Sequence, residues 1–88
     1  MQLSKQPCTI MTVIQTSRTD TAPRVQNILT AFGCIICVRV GLHEVTPEFC
    51  SPQGLILLLL RGSDEEIANL ARQLRKLDGV RVQTMRLK

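Results

Sequence analysis

The spacing of apolar residues switches along the chain between every second position and every third or fourth, and each switch marks an element. From Cys8 to Gln15, CTIMTVIQ is β-branched and apolar between Pro7 and the polar TSRTD, which predicts a strand ending in a turn. Val25, Ile28, Leu29 and Phe32 then fall at i, i+3, i+4 and i+7, one face of a helix, with Asp20 or Thr21 as its N-cap and Gly33 as its stop. Between Cys34 and Leu42 the even positions Cys34, Ile36, Val38, Val40 and Leu42 alternate with Ile35, Cys37, Arg39 and Gly41. This predicts a second, half-buried strand with its even face on the core. HEVTPEFCSPQ carries two prolines and is read as a long loop.

The stretch QGLILLLLRG supplies a third strand, from Gly54 or Leu55 to Arg61, with unbroken aliphatic sequence from Leu55 to Leu60. SDEE follows as a capping box, Ser63 capping and Glu66 three residues on, and Ile67, Leu70, Ala71, Leu74 and Leu77 continue a single apolar stripe. After the DGV turn, VRVQTMRLK predicts a fourth strand. Its apolar positions change from even (Val80, Val82) to odd (Met85, Leu87), and a bulge near Thr84 is the expected cause.

The resulting order, β-α-β-β-α-β, predicts an α+β fold, the ferredoxin-like βαββαβ sandwich: a four-stranded antiparallel sheet with both helices on one face. The third strand is then central, and alternation sends Leu55, Leu57 and Leu59 to one face and Ile56, Leu58 and Leu60 to the other. Only one set meets the helices, and periodicity does not choose between them. Leaving three large aliphatics wet forfeits several kcal/mol at roughly 25 cal/mol per Å2, so a second copy of the chain is expected to cover the open set. Ile56, Leu58 and Leu60, with Ile35 and Cys37 of the second strand, are assigned to that oligomer interface, in a dimer or tetramer.

Composition narrows the picture further. The 88 residues have room for one small domain, 1–88, and no apolar run approaches the roughly 20 residues that span a bilayer. No h-region marks the N-terminus as a secretory signal, so a cytoplasmic location is expected, with Cys8, Cys34, Cys37 and Cys50 as thiols. The net charge of +4 is scattered. It allows an acidic partner without requiring one.

Taken together, TIMTVIQ, the amphipathic first helix, VRVGLHE with Gly41, the leucine-rich strand, and LRKLDGVRVQTMRLK with Gly79 resemble the small ACT-like proteins of the iron-only hydrogenase system regulator family. The resemblance runs from about Thr9 to Lys88. It implies a ferredoxin-like fold, oligomerisation through the sheet and a regulatory role in the iron-only hydrogenase system, through a hydrogenase-related or transcriptional protein partner. It carries no established ligand or catalytic residues. The segment containing Pro47, Cys50 and Pro52 is where this sequence departs from the family pattern. Many ACT domains hold a small effector against the turn that matches Thr16, Ser17, Arg18, Thr19 and Asp20, and donors near a helix N-terminus suit an anion. Here that turn lacks the Gly that ACT domains usually carry.

Other chemistry finds less support. In CIIC, Cys34 and Cys37 lie three apart on a strand, so their side chains point to opposite faces and do not chelate one ion. The metal alternative is Cys50 and His43, joined by a cysteine such as Cys37 of another subunit. Nucleic-acid readout on this topology needs aromatics on the central strands, and the chain has only Phe32 and Phe49. No catalytic triad or phosphate loop is present, and Asp64, Glu65 and Glu66 serve the helix start, so a non-enzyme without cofactors is expected. Arg39, placed on the non-helix face of the second strand, is the candidate to bind a carboxylate from a ligand or neighbouring subunit.

Overall fold

Eight aliphatic side chains without solvent contact, or nearly so, mark where the layers meet: Met11, Val13, Val25, Leu29, Leu58, Leu60, Leu70 and Leu74. The structure, a computed structural model, describes residues 8–16, 18–46 and 49–87, with backbone alone for 18–20, 42–46 and 49–53. Strand β1 is Cys8–Gln15, helix α1 Arg18–Ala31, strand β2 Ile36–Thr46, strand β3 Phe49–Leu60, helix α2 Asp64–Arg75 and strand β4 Val80–Leu87. A short 3-10 turn, Gly33–Ile35, links α1 to β2.

The sheet is antiparallel in the order β2-β3-β1-β4, so the two most apolar strands are central and both helices pack on one face, the ferredoxin-like arrangement. Pairing of Met11 with Leu58 and of Val13 with Ile56 brings the core residues of β1 and β3 into common rows under Val25 and Leu29 of α1 and Leu70, Ala71 and Leu74 of α2.

Helix α2 starts where its sequence says. Ser63 Oγ accepts from the Glu66 N–H at 3.0 Å, and Glu66 Oε1 accepts from the Ser63 N–H at 2.9 Å. Hydrogen bonding to the Glu66 carboxyl from Ser63, its backbone N–H first and its side chain second, holds that carboxyl below its ordinary value of 4.5. The helix ends at Arg75, short of the expected Leu77, which packs against the core from the following turn.

Four expectations change. Helix α1 starts at Arg18 rather than after Asp20 or Thr21, so both residues lie inside its first turn, and the Thr21 hydroxyl donates to Gln15. Strand β2 starts at Ile36, and its even face is not uniformly on the core. Ile36 pairs with Leu60 and Val38 with Leu59, so Cys37 is an extra residue, a bulge, and beyond it the even positions Val38 and Val40 turn away from the helices. The expected long loop between β2 and β3 is mostly paired strand: β2 continues to Thr46 and β3 begins at Phe49. Its first residues lie beyond the end of β1 at Gln15↔Gly54, so they pair with β2 alone, and Pro52 sits in the irregular stretch between His43↔Gly54 and Val45↔Cys50. An edge of that kind tolerates a missing N–H.

No bulge interrupts β4. Its register with β1 is unbroken from Gln15↔Val80 to Cys8↔Leu87. The parity change is a change of face: Val80 and Val82 lie under the helices, whereas Met85 and Leu87 lie on the other side. At the far end the helix-side position is polar, and Arg86 Nη1 reaches Asp64 Oδ2 at 3.2 Å.

Candidate functional site

Two regions hold the sequence candidates: the β1–α1 turn and the sheet face without helices. At the turn, β1 ends in Gln15, a buried polar residue between Gly54 of β3 and Val80 of β4. Its Oε1 accepts a buried hydrogen bond from Thr21 Oγ1 at 3.2 Å, which ties the strand end to the first part of α1. Thr16 follows, exposed. Its N–H donates to the Gly79 carbonyl at 2.8 Å, and its hydroxyl donates to the same oxygen at 3.0 Å.

Gly79 makes this double contact possible. Its φ is +76°, and a Cβ there would stand 2.5 Å from Thr16 Oγ1. The β1–α1 turn is therefore fastened to the α2–β4 turn. Of the other candidates in TSRTD, Ser17 lies outside the described residues, and Arg18, Thr19 and Asp20 belong to the backbone of the first turn of α1. The exposed turn is shorter than the sequence suggested.

Arg39 is not part of it. It pairs with Leu58, a helix-side residue, so the bulge at Cys37 places Arg39 on the helix side of an edge strand, exposed, opposite to the expected face. It lies two strands from β1 and four residues from the level of Gly54.

The interface assignment changes in the same way. Ile56, Leu58 and Leu60 are buried under this chain's own helices, as is Ile35, so none of them is available to a second copy. Of the five assigned residues, only Cys37 is exposed. The open face carries the other set. Val38, Leu59, Ile10 and Met85 form one row across all four strands, and Val40, Leu57, Thr12 and Gln83 form the next. Leu55, Ile14 and Arg81 continue into a third, and Arg81 is the only charged residue in these rows. Val38, Val40, Leu57 and Met85 are the exposed large apolar residues among those described.

The thiols are dispersed. Cys34 lies in the 3-10 turn and Cys37 in the bulge, both exposed, and Cys8 is buried; all three are free. His43 and Cys50 stand at neighbouring positions of the β2–β3 hairpin, where only the backbone is described. Among the described residues no group of three or more His, Cys, Asp or Glu gathers, and no helix is long and apolar enough to cross a membrane.

Sequence reading missed the Gln15–Thr21 pair. A Gln closing an apolar strand was its only signal.

Residues 8–84 match the family model described as "TM1266-like: Iron-only hydrogenase system regulator, putative". No relative of curated function matches. Among solved structures, the uncharacterized protein TM1266 from Thermotoga maritima is similar over 94% of this chain and 100% of its own, with a TM-score of 0.79 and 28% identity. The ACT domain from GTP pyrophosphokinase of Chlorobium tepidum is similar over 92% of this chain and 85% of its own, with a TM-score of 0.58 and 13% identity. CPII, a nitrogen regulatory PII-like protein from Thiomonas intermedia K12 whose structure contains ADP, AMP and bicarbonate, is similar over 93% of each chain, with a TM-score of 0.59 and 11% identity. At such identities the last two show a common fold.

Proposed function

The chain belongs to the TM1266-like family of iron-only hydrogenase system regulators, and from that premise we propose that it is a non-enzymatic regulatory module acting as a homo-oligomer. The observation that carries this reading is the open sheet face. Two neighbouring rows of it contain Val38, Leu59, Ile10, Met85, Val40 and Leu57 and no charge. A contiguous apolar surface of that kind is characteristic of an interaction site, and a two-fold copy of the same face is the simplest complement.

The module's signal is a small effector bound at the β1–α1 turn next to a subunit boundary. Support comes from the fold shared with an ACT domain and with a PII-like protein bound to ADP, AMP and bicarbonate. The fastened pair of turns at Thr16 and Gly79 offers such an effector a defined backbone. Its output passes through another protein of the hydrogenase system rather than through nucleic acid, because β1 and the part of β3 paired with it, Gly54 to Leu60, contain no aromatic residue on which bases could stack.

The test is sedimentation of the purified chain combined with a thermal-shift screen against amino acids, nucleotides and divalent metals, all without oxygen. An effector at 100 times its dissociation constant adds about 2.7 kcal/mol to stability. A reproducible shift with amino acids or nucleotides, from an oligomer, supports the reading. Stoichiometric bound metal in the oligomer, with no shift from amino acids or nucleotides, moves the function to thiol or metal handling by Cys50, His43 and Cys37 across subunits.

A further inference from the structure

Among the described residues, the only buried side-chain nitrogen or oxygen atoms without a hydrogen bond are Nε and Nη2 of Arg61. Arg61 follows Leu60, the partner of Thr9, at the end of β3, about 23 Å along the strand from Gly54 and at the end of the sheet away from the Thr16 turn. Its backbone is pinned. The Arg61 N–H donates to the Ile35 carbonyl at 2.8 Å, and the next residue, Gly62, lies so close to Ile35 that a Cβ there would meet Cγ2 at 2.9 Å.

Nε and Nη2 form one edge of the guanidinium, a pair of parallel donors that matches the two oxygens of a single carboxylate. A guanidinium does not shed its charge when buried, so the missing acceptors leave a desolvation cost that nothing offsets. Of the acids that follow in sequence, Asp64 reaches Arg86 through Oδ2 and Glu66 accepts from the Ser63 N–H through Oε1, and none accepts from Nε or Nη2 of Arg61. Arg61 as a whole is only partly buried, so the guanidinium lies near the surface, where a turn about its terminal bonds would present the donor edge to a partner.

We propose that Arg61 is a carboxylate-binding site whose Nε and Nη2 donors receive a carboxylate from outside the subunit. The source is either a small free carboxylate or an acidic group of a second copy. This assignment does not depend on the β1–α1 turn holding an effector.

The test uses the full chain in chloride and in sodium acetate at equal ionic strength, followed by thermal melting and sedimentation, with Arg61→Lys and Arg61→Met alongside. Lysine keeps the charge and loses the paired donors; methionine keeps much of the length and loses both. For a free carboxylate, acetate raises Tm, the concentration needed rises about tenfold or more in each variant, and Arg61→Met melts no lower than the parent in chloride. For a carboxylate from a second copy, acetate instead lowers the sedimenting mass, and both variants lose mass in chloride. Either pattern supports the site and names its source. An acetate effect absent from the parent, or equal in parent and Arg61→Lys, overturns it.

Discussion

Replacing Leu57 by Glu separates the two faces of β3 in one experiment when it is paired with Leu58→Glu. Leu57 keeps 36% of its surface in water, and Val38, Val40 and Met85 keep 40%, 43% and 57%. Complete burial of such a side chain is worth about 1.5–3 kcal/mol, so these four have about 3–5 kcal/mol still to gain per subunit, and about twice that in a symmetric pair. Association costs about 4–15 kcal/mol before any gain appears. For a stable oligomer the half-buried Ile10, Ile14, Leu55 and Leu59 must therefore contribute as well.

A glutamate at position 57 enters such an interface from both subunits, opposite Val40 and Thr12. Burying those unpaired carboxylates removes several kcal/mol, so affinity falls by about 1,000-fold or more. The isolated fold loses only about 1 kcal/mol, because the position is already wet. Leu58, 1% exposed, behaves oppositely: a buried charge there costs about 5 kcal/mol or more and unfolds the domain. Sedimentation velocity over roughly a hundredfold concentration range gives the mass, with RT ln Kd setting the scale, and far-ultraviolet circular dichroism gives the folded state. The reasoning is refuted if Leu57→Glu keeps the parent's mass, or if the parent is itself a monomer throughout.

Two further substitutions test the scaffold. Gly79→Ala forces a side chain into a left-handed backbone and against Thr16 Oγ1, and is expected to cost about 1–3 kcal/mol in urea unfolding; the double variant with Thr16→Ser should show no relief, since the hydroxyl remains. Ser63→Ala removes the acceptor for the Glu66 N–H and should cost about 1 kcal/mol. The lowered Glu66 value has a sign: its contribution is fully present above the ordinary 4.5 and is lost as pH falls through the folded-state value. Glu66→Gln should therefore flatten that part of the stability–pH curve, and an unchanged acid limb would remove the capping box as its cause.

The fold was legible because its strongest signals are local. The SDEE cap and the stripe from Ile67 to Leu74 are completed within a few residues, so α2 started where its cap predicts. What stayed hidden depends on partners distant in sequence. Six consecutive aliphatics in β3 have the same hydropathy on both faces, and only the rows shared with Met11 and Val13 decide that Ile56, Leu58 and Leu60 are inside. CIIC gives no signal for the bulge at Cys37, which moved Val38, Val40 and Arg39 to faces opposite to those expected. The β1–α1 turn was overestimated because Thr21 looks like a cap in sequence but lies inside α1, where its hydroxyl reaches Gln15. Arg61 was read only as the end of a strand. Its exceptional character lies in the acceptors its surroundings fail to provide.

The bulge also makes register, rather than composition, the determinant of what this molecule shows to its neighbours. Were Cys37 taken into the ladder opposite Leu59, every later residue of the strand would slip by one, carrying Val38 and Val40 beneath the helices and turning Arg39 and Gly41 outward. No residue would be changed, yet the outer surface of the edge strand would turn from aliphatic to cationic. A slip of one residue in a single strand is thus enough to switch an adhesive wall into a repellent one.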